Sequence, residues 1–280
     1  MTATSALDDA QINRTAPPGS MRYFSLLYAP QERRESVLAL YVIDAEIRES
    51  AKSASHDVAH TRLTWWRAET DRLVNGSPQH PATRVLFERS AGDRSSFAKL
   101  HEMLAAADMD LARMTFANQQ ELRAYCSRSS GAIHELVAAQ LAAPGTLDEA
   151  TRVAANKLGV GIRLAEIVRD LRQDAYDGNV YLPLDLLEQH ELNNDRLRAR
   201  EVDPKLKEAL RTIHSTALAE LDLPPRSAQT EHLRPVYVLA ALHRKLLDRI
   251  AARNYDVATE RIDLGPLQKP WTAWRAARKA

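Results

Sequence analysis

The segment from Asp148 to Asp174 constrains the fold more than any other part of the chain, because it is unusually long and carries no helix-terminating signal. A stretch that contains glycine and proline, residues 177–183, ends it. Each helical residue adds about 1.5 Å of rise, so an uninterrupted helix of this length would cross a large domain. We therefore predict that the chain is built around one long helix, at about 147–176.

The rest of the chain is also typical of helices. We predict further helices at about 31–53, 58–75, 81–91, 96–115, 118–142, 202–221 and 232–254. The sequence has no alternating strand pattern, no internal repeat and no shift in composition that would mark a domain boundary. We predict one all-α domain over residues 19–265, a disordered N-terminal segment over 1–18, and a basic tail or short helix over 266–280.

Charge and cysteine content narrow the classes of function. Lys and Arg number 38 against 37 Asp and Glu, a formal net charge of +1, whereas nucleic-acid-binding domains are usually strongly basic. We therefore expect no nucleic-acid partner.

The single cysteine, Cys126, excludes an intrachain disulfide and agrees with a reducing compartment. No apolar run approaches the ~20 residues that span a bilayer, and residues 1–20 lack the apolar core of a secretory signal, so we expect a cytoplasmic protein.

An acidic pair near the end of the long helix is the strongest candidate for chemistry. Asp170 and Asp174 stand four residues apart, which places both carboxylates on one helical face. Mg²⁺ is commonly held by one or two carboxylates together with water and substrate phosphates. The spacing alone is weak evidence, because acidic pairs of this kind are common on solvated faces.

The residues around this pair resemble a known family. The run from Arg169 to Pro183 reads R-D-x-x-x-D-x-x-x-G-x-x-Y-L-P, which resembles the second aspartate motif of squalene and phytoene synthases. Further segments resemble that family in the same order along the chain: Tyr23 to Tyr41, Tyr125 to Ala132, Lys245 to Ile250, and Asn254 to Val257 with Arg261. The combined match covers roughly residues 20–261.

The resemblance implies an isoprenoid (terpenoid) synthase fold, in which helices surround a central apolar cavity. It also implies that two aspartate motifs on facing helices hold Mg²⁺ and the diphosphate of a prenyl donor, which is condensed head to head with a second prenyl diphosphate. Asp170 and Asp174 would then be metal ligands. Tyr125, Tyr255 and Arg261 match family positions and would contact the substrate.

The first aspartate motif of the family is missing from this chain. The register set by the Ala39–Tyr41 run places Arg48 and Lys52 where the family has its two aspartates. These side chains cannot coordinate Mg²⁺, but they could contact phosphate directly, as could Arg169, or pair with carboxylates across the cleft.

The helix before the second motif departs from the family as well. Arg163 and Glu166 stand where glutamine and asparagine are usual. Glu166 could complete a metal-binding triad with Asp170 and Asp174, or it could neutralise a neighbouring arginine. We count Arg163 among the substrate-binding candidates.

Two functions remain open at this point. One is a prenyl transferase of the squalene/phytoene synthase type that uses Mg²⁺; NADPH use is undecided. The other is a non-catalytic protein of the same fold that binds a prenyl lipid or assists assembly of a respiratory complex, because Arg62 to Trp66 resembles the R-L-x-W-W run of such relatives. No catalytic residue is assigned. The C-terminal segment, residues 271–280, could be a basic amphipathic helix that contacts the inner membrane surface or a helix docked on the domain.

Overall fold

The computed structural model describes residues 7–89, 94–143, 146–222 and 233–279, and within these ranges the chain forms helices and no strand. The α-helices are α1 Asp9–Thr15, α2 Met21–Leu26, α3 Gln31–Ala51, α4 His56–Val74, α5 Pro81–Arg89, α6 Leu100–Leu111, α7 Gln119–Cys126, α8 Ala132–Leu141, α9 Glu149–Asp177, α10 Leu184–Gln189, α11 Asn194–Arg198, α12 Pro204–Glu220, α13 Arg234–Ala252 and α14 Gln268–Ala277. A 3₁₀ turn over Ser95–Lys99 precedes α6, and a π-helical turn over Ser127–Gly131 joins α7 to α8. The all-α prediction is confirmed; residues 90, 91 and 232 of the predicted helices lie outside the described ranges.

Helix α9 is the long helix that the sequence predicts, and both of its ends have a local cause. The Asp148 side chain accepts a hydrogen bond from the Thr151 backbone N–H at 2.7 Å, which caps the N-terminus. At the other end Gly178 takes a left-handed conformation with φ of 90°, which glycine adopts without steric cost. These two caps fix where the helix begins and ends.

Helix α9 packs against α8, α12 and α13, and one contact needs a glycine. A Cβ atom at Gly159 would lie 2.4 Å from the carbonyl oxygen of Ser130, in the π-helical turn. The missing side chain therefore lets the backbones of α9 and the turn approach closely. Helix α8 packs against both α3 and α9. It thereby fixes the position of α3 relative to α9.

The N-terminal segment differs from the expectation of disorder. Residues 9–15 form α1, which has a capping box: the Asp8 side chain accepts from the Gln11 backbone, and the Gln11 side chain accepts from the Asp8 backbone. Leu7 and Ala16 on either side of the helix are buried in the core. Local capping and burial thus order this segment, while residues 1–6 lie outside the described ranges.

The C-terminal segment forms α14, which packs against α13 and α2. In the part of the chain that the structure describes, none of the helices is both long enough and apolar enough to cross a membrane.

Candidate functional site

A group of buried ion pairs, which we call the inner cluster, connects α3 to α9 and comprises Arg22, Asp44, Arg48, Arg163 and Glu166. Asp44 is fully buried and accepts hydrogen bonds from Arg22 and from Arg48 Nε, the latter at 2.8 Å. Arg48 also donates from Nη1 to Glu166 Oε2 across the helices at 3.2 Å. Arg163 donates to the same Glu166 oxygen at 3.4 Å. Arginines therefore hold both carboxylates of the cluster.

The charges of the inner cluster stabilise one another. Burial by itself would raise the pKa of Asp44, but the charges of Arg48 and Arg22 outweigh burial and lower it. Burial acts on Glu166 in the same way, and Arg48 and Arg163 lower its pKa far below the usual range. Both carboxylates are ionised at neutral pH, and so the cluster is a set of paired buried charges.

Tyr125 and Tyr181 attach the inner cluster to the rest of the core. Arg163 Nη2 donates to the Tyr125 hydroxyl at 3.0 Å, and its guanidinium carbon lies 4.8 Å from the centre of the Tyr181 ring. Both tyrosine hydroxyls donate to Asp110 Oδ1 at 2.8 Å. Burial raises the pKa of both tyrosines. Tyr125, a predicted substrate contact, therefore positions Arg163 in this structure.

The second group of charges lies nearer to solvent, and we call it the outer cluster: Lys52, Arg169, Asp170, Asp174 and Arg261. Asp170 is held on two sides, by Arg169 Nε at 2.9 Å and by Arg261 Nε at 2.8 Å. Lys52 Nζ lies 3.9 Å from Asp174 Oδ1, so these two groups form an ion pair that spans α3 and α9 without a hydrogen bond. Asp174 Oδ2 is buried and has no hydrogen-bond partner among the described residues.

The two aspartates of the outer cluster differ in their electrostatics. Burial would raise the pKa of Asp170, but the hydrogen bonds and charges of Arg169 and Arg261 outweigh it and lower the pKa. The pKa of Asp174 is raised to about 6 by burial, with a further contribution from the negative charge of Asp170, and the more distant Arg163 and Lys52 compensate only in part.

The outer cluster lines a cleft of about 500 Å³. Its charged lining residues are five cationic and three acidic side chains: Lys52, Arg163, Arg169, Arg172, Arg261, Asp170, Asp174 and Glu260. A second cleft of about 440 Å³ shares Arg169 and Arg261 with the first and reaches Glu166 and Lys269. Charged and polar side chains dominate both clefts.

Tyr255 is the one predicted site residue that the structure places apart from the two clusters. Its hydroxyl lies 2.7 Å from Nδ1 of His214 on α12, and the guanidinium carbon of Arg211 lies 5.5 Å from the centre of its ring. These contacts give Tyr255 a packing role between α12 and the turn after α13.

The predicted metal ligands do not fit an ion held between α3 and α9. Glu166 and Asp170 already accept hydrogen bonds from arginines. On the α3 side the Asp44 carboxylate is fully buried and held by Arg22 and Arg48. Lys52, just after the helix, places a cation near Asp174. Within the described ranges no group of three or more His, Cys, Asp and Glu side chains is placed to hold a metal ion. The metal-binding role of Glu166, Asp170 and Asp174 stays a prediction. Cation–carboxylate pairs, Arg48 with Glu166 and Lys52 with Asp174, span the gap between the helices.

The amino-acid sequence is similar to those of known proteins over most of its length. The chain is 28% identical over 258 residues to the chloroplastic phytoene synthase 1 of Arabidopsis thaliana, an alignment that covers 88% of this chain but 60% of that protein. It is 27% identical to the phytoene synthase of Arthrospira platensis, over 88% of this chain and 84% of that protein. The chain thus spans less than two thirds of the length of the plant relative.

Solved structures agree on the fold. A dehydrosqualene synthase in complex with a ligand superimposes with a TM-score of 0.79 at 16% identity, over 96% of this chain and 94% of that chain. The squalene synthase HpnC from Alicyclobacillus acidocaldarius superimposes with a TM-score of 0.70 at 17% identity, over 90% and 98%. These likenesses confirm the isoprenoid synthase fold. The family model described as squalene/phytoene synthase matches residues 16–275. The chain therefore belongs to the squalene/phytoene synthase family.

Proposed function

We propose that the cleft of about 500 Å³ lined by the outer cluster binds the diphosphate group of a prenyl diphosphate, by direct contact with cationic side chains. The observation that carries the proposal is the excess of cations over carboxylates in the lining of this cleft, five against three. A diphosphate is strongly anionic and is stabilised by such an excess. The prenyl part of the ligand is inferred from membership in the squalene/phytoene synthase family.

Lys52 and Arg261 are the side chains best placed to reach a ligand. Their side chains are 53% and 65% exposed, so both reach solvent at the mouth of the cleft. The Lys52 ammonium makes no hydrogen bond to Asp174 at 3.9 Å, which leaves its protons available for phosphate oxygens. Arg261 holds Asp170 with two nitrogens and can turn its guanidinium toward an incoming phosphate. Arg169 is more buried and keeps Asp170 in place.

The same geometry leads us to propose that this binding does not require Mg²⁺. In a metal-bridged site, carboxylates on both helices would share divalent cations with the diphosphate. Here the α3 side already provides positive charge through Arg48 and Lys52. A phosphate that meets these side chains directly needs no bridging ion for charge neutralisation.

The test is isothermal titration of the purified protein with farnesyl and geranylgeranyl diphosphate, in buffer with Mg²⁺ and in buffer with EDTA. We expect binding in both buffers, with Kd values that agree within about three-fold, and no binding of farnesol at the same concentrations, because farnesol lacks the phosphates. The absence of binding in EDTA, or of any binding at all, would contradict the proposal.

A matched pair of lysine variants locates the site. Lys52→Met should weaken binding about ten-fold, the effect of losing one charge-assisted contact. Lys205→Met removes a lysine that pairs with Glu191 on the surface away from the cleft, and it should leave Kd unchanged. Equal Kd values for the two variants would place the ligand elsewhere.

Head-to-head condensation is the second candidate function. Two features favour it: the retained R-D-x-x-x-D motif on α9, and the buried Asp174 Oδ2, which is free to accept a new partner. Condensation would break the carbon–oxygen bond between the prenyl chain and the diphosphate of one substrate, form a carbon–carbon bond to the second prenyl chain, and release diphosphate and a proton. Incubation with Mg²⁺ and farnesyl or geranylgeranyl diphosphate, followed by mass spectrometry of extracted lipids, separates the two candidates. We expect bound ligand and no product; a condensed hydrocarbon or its diphosphate would establish condensation instead.

A further inference from the structure

Helix α14 is oriented in an unusual way on the surface of the domain. Its alanines face inward: Ala273 is fully buried, and Ala276 and Ala277 pack against the core. Its two tryptophans face outward, with Trp271 58% exposed and Trp274 42% exposed. A helix that only had to cover the core would bury its largest apolar side chains and leave the small ones outside.

The exposed side chains form a continuous apolar surface, which we call the tryptophan patch and define as Leu267, Pro270, Trp271 and Trp274. Together these residues line one shallow apolar depression on the protein surface. The two indole rings stack with their centres 5.1 Å apart, and Leu267 at the start of the helix is 82% exposed. Contiguous exposed apolar patches of this kind mark sites of interaction.

Positive charge lies beside the tryptophan patch, toward the C-terminal end of α14. Arg275, Arg278 and Lys279 are exposed on the last turns of α14 and just beyond it, and the Arg278 guanidinium carbon lies 4.9 Å from the centre of the Trp274 ring. No Asp or Glu follows Asp263 in the sequence. The outward face of α14 therefore combines aromatic rings with arginine and lysine and carries no carboxylate of its own.

We propose that the tryptophan patch docks the protein onto the surface of a bilayer that contains anionic phospholipids. Tryptophan is enriched at the headgroup level of membranes, where its ring meets both apolar and polar surroundings. Arginine and lysine beside it are attracted to anionic headgroups. A helix that buries one face in a domain and presents the other to the interface can anchor a peripheral protein.

A second copy of the chain fits this surface less well. A two-fold contact through the patch would bring the cations of both copies, Arg275, Arg278 and Lys279, against each other. A stable dimer also buries about 800 Å² on each partner, far more than four side chains on one short helix supply.

Helix α14 also reaches the second cleft, which shares Arg169 and Arg261 with the cleft proposed for the diphosphate. Lys269, in the first turn of α14, lines the smaller cleft and pairs with Asp263 at 2.6 Å. Docking through α14 would hold the rim of that cleft at the membrane, where prenyl chains dissolve. This last link rests on the proposed function, whereas the docking itself does not.

The experiment is cosedimentation of the full-length protein with vesicles of phosphatidylcholine alone and of phosphatidylcholine with phosphatidylglycerol. We expect binding to the anionic vesicles that is at least ten-fold stronger than binding to the neutral ones. The double variant Trp271→Ser/Trp274→Ser should lose it. Arg275→Gln should weaken binding to anionic vesicles about five-fold. Val153→Ser, which removes an exposed apolar side chain on α9, should leave binding unchanged.

Three results would overturn the proposal: no sedimentation with anionic vesicles, equal binding to both vesicle types, or undiminished binding by the tryptophan variant. A concentration-dependent dimer that the tryptophan substitutions abolish would also overturn the proposal, because it would assign the patch to a second copy. Circular dichroism of each variant establishes that it is folded. Titration with farnesyl diphosphate without vesicles tests the cleft separately, so a failure of docking and a failure of ligand binding give different results.

Discussion

The inner and outer clusters both connect the region of α3 to α9 through pairs of cations and carboxylates, yet they differ in how completely their carboxylates are paired. In the inner cluster every carboxylate accepts from an arginine, and the fully buried Asp44 accepts from two. In the outer cluster Lys52 stands 3.9 Å from Asp174, and one oxygen of that aspartate has no hydrogen-bond partner among the described residues. Arginines thus hold both inner carboxylates, whereas Asp174 in the outer cluster accepts no hydrogen bond from the cation nearest to it.

This difference indicates that the two clusters have different roles in the gap between α3 and α9. Buried charges that satisfy one another are costly to disrupt and cannot rearrange for a ligand. Partly exposed charges with loose partners contribute little to stability and can exchange a protein partner for a phosphate. We therefore expect substitutions in the inner cluster to change stability and substitutions in the outer cluster to change binding.

The largest effect is expected for Asp44→Asn. The substitution leaves Arg22 and Arg48 facing a neutral amide in a buried site, and the free energy of unfolding should fall by about 3–5 kcal/mol. Urea denaturation monitored by circular dichroism measures it. The control is Glu49→Gln on the same helix, an exposed carboxylate whose loss should cost no more than about 0.5 kcal/mol. Similar losses for both variants would remove the distinction between buried and exposed pairs.

Tyr125→Phe should have the next largest effect. It deletes the hydroxyl that accepts from the buried Arg163. Asp110 keeps its hydrogen bond from Tyr181, so the cost comes from the unpaired Arg163 nitrogen and should be about 1–3 kcal/mol. Tyr176→Phe, on the exposed end of α9, serves as the control and should be neutral. If Tyr125→Phe weakened ligand binding and left stability intact, Tyr125 would be a substrate contact, as the resemblance implied.

Lys52→Met tests the outer cluster. It should weaken prenyl diphosphate binding about ten-fold, which corresponds to about 1.4 kcal/mol. The free energy of unfolding should change by less than about 1 kcal/mol, because the pair with Asp174 is long and the lysine is exposed. If Lys52→Met unfolded readily, Lys52 would contribute to stability in the way we expect of the inner cluster.

The smallest effect is the pH dependence of stability. The pKa values of Asp44 and Glu166 are lowered in the folded protein, so the unfolded chain takes up protons first as the pH falls. Their stabilisation is complete at neutral pH and is lost as the pH drops below the ordinary carboxyl range toward the folded pKa values. The loss is roughly 0.4 kcal/mol per group at the pH where half the unfolded groups are protonated. Other buried groups titrate in the same range: the raised pKa of Asp174, about 6, gives a gain in stability as the pH falls, and the lowered pKa of His134, about 4, gives a loss. Urea titrations of the wild type and of Asp44→Asn from pH 7 to pH 4 therefore isolate the contribution of Asp44, and the difference in unfolding free energy between the two should narrow toward pH 4.

Much of the fold could be predicted from the sequence, because its helices have local signals. The long helix was predicted at about 147–176 and observed as Glu149–Asp177, with Asp148 and Gly178 as its caps. Helix α1 was missed although Asp8 and Gln11 have the spacing of a capping box, a signal that was present in the sequence. The Asp44–Arg48 pair is another local signal, at i and i+4 on α3.

The candidate site could be predicted only in part. The motif on α9 and the cations on α3 were identified by resemblance, since both lie at fixed offsets from matched residues. The convergence of Tyr125 and Tyr181 on Asp110 joins residues from three distant segments, and no sequence spacing indicates it. Whether a carboxylate is free or already held by an arginine depends on tertiary packing, as Glu166 and Asp170 illustrate.

The most direct test of the division between the two clusters is a crystal structure of the protein with farnesyl thiodiphosphate, a slowly ionising analogue, grown in the presence of Mg²⁺. We expect phosphate oxygens at about 2.7–2.9 Å from the nitrogens of Lys52 and Arg261, with the inner cluster unchanged. A metal ion that bridges Asp170 and Asp174 to the phosphates, with Arg261 displaced, would contradict direct binding by cations.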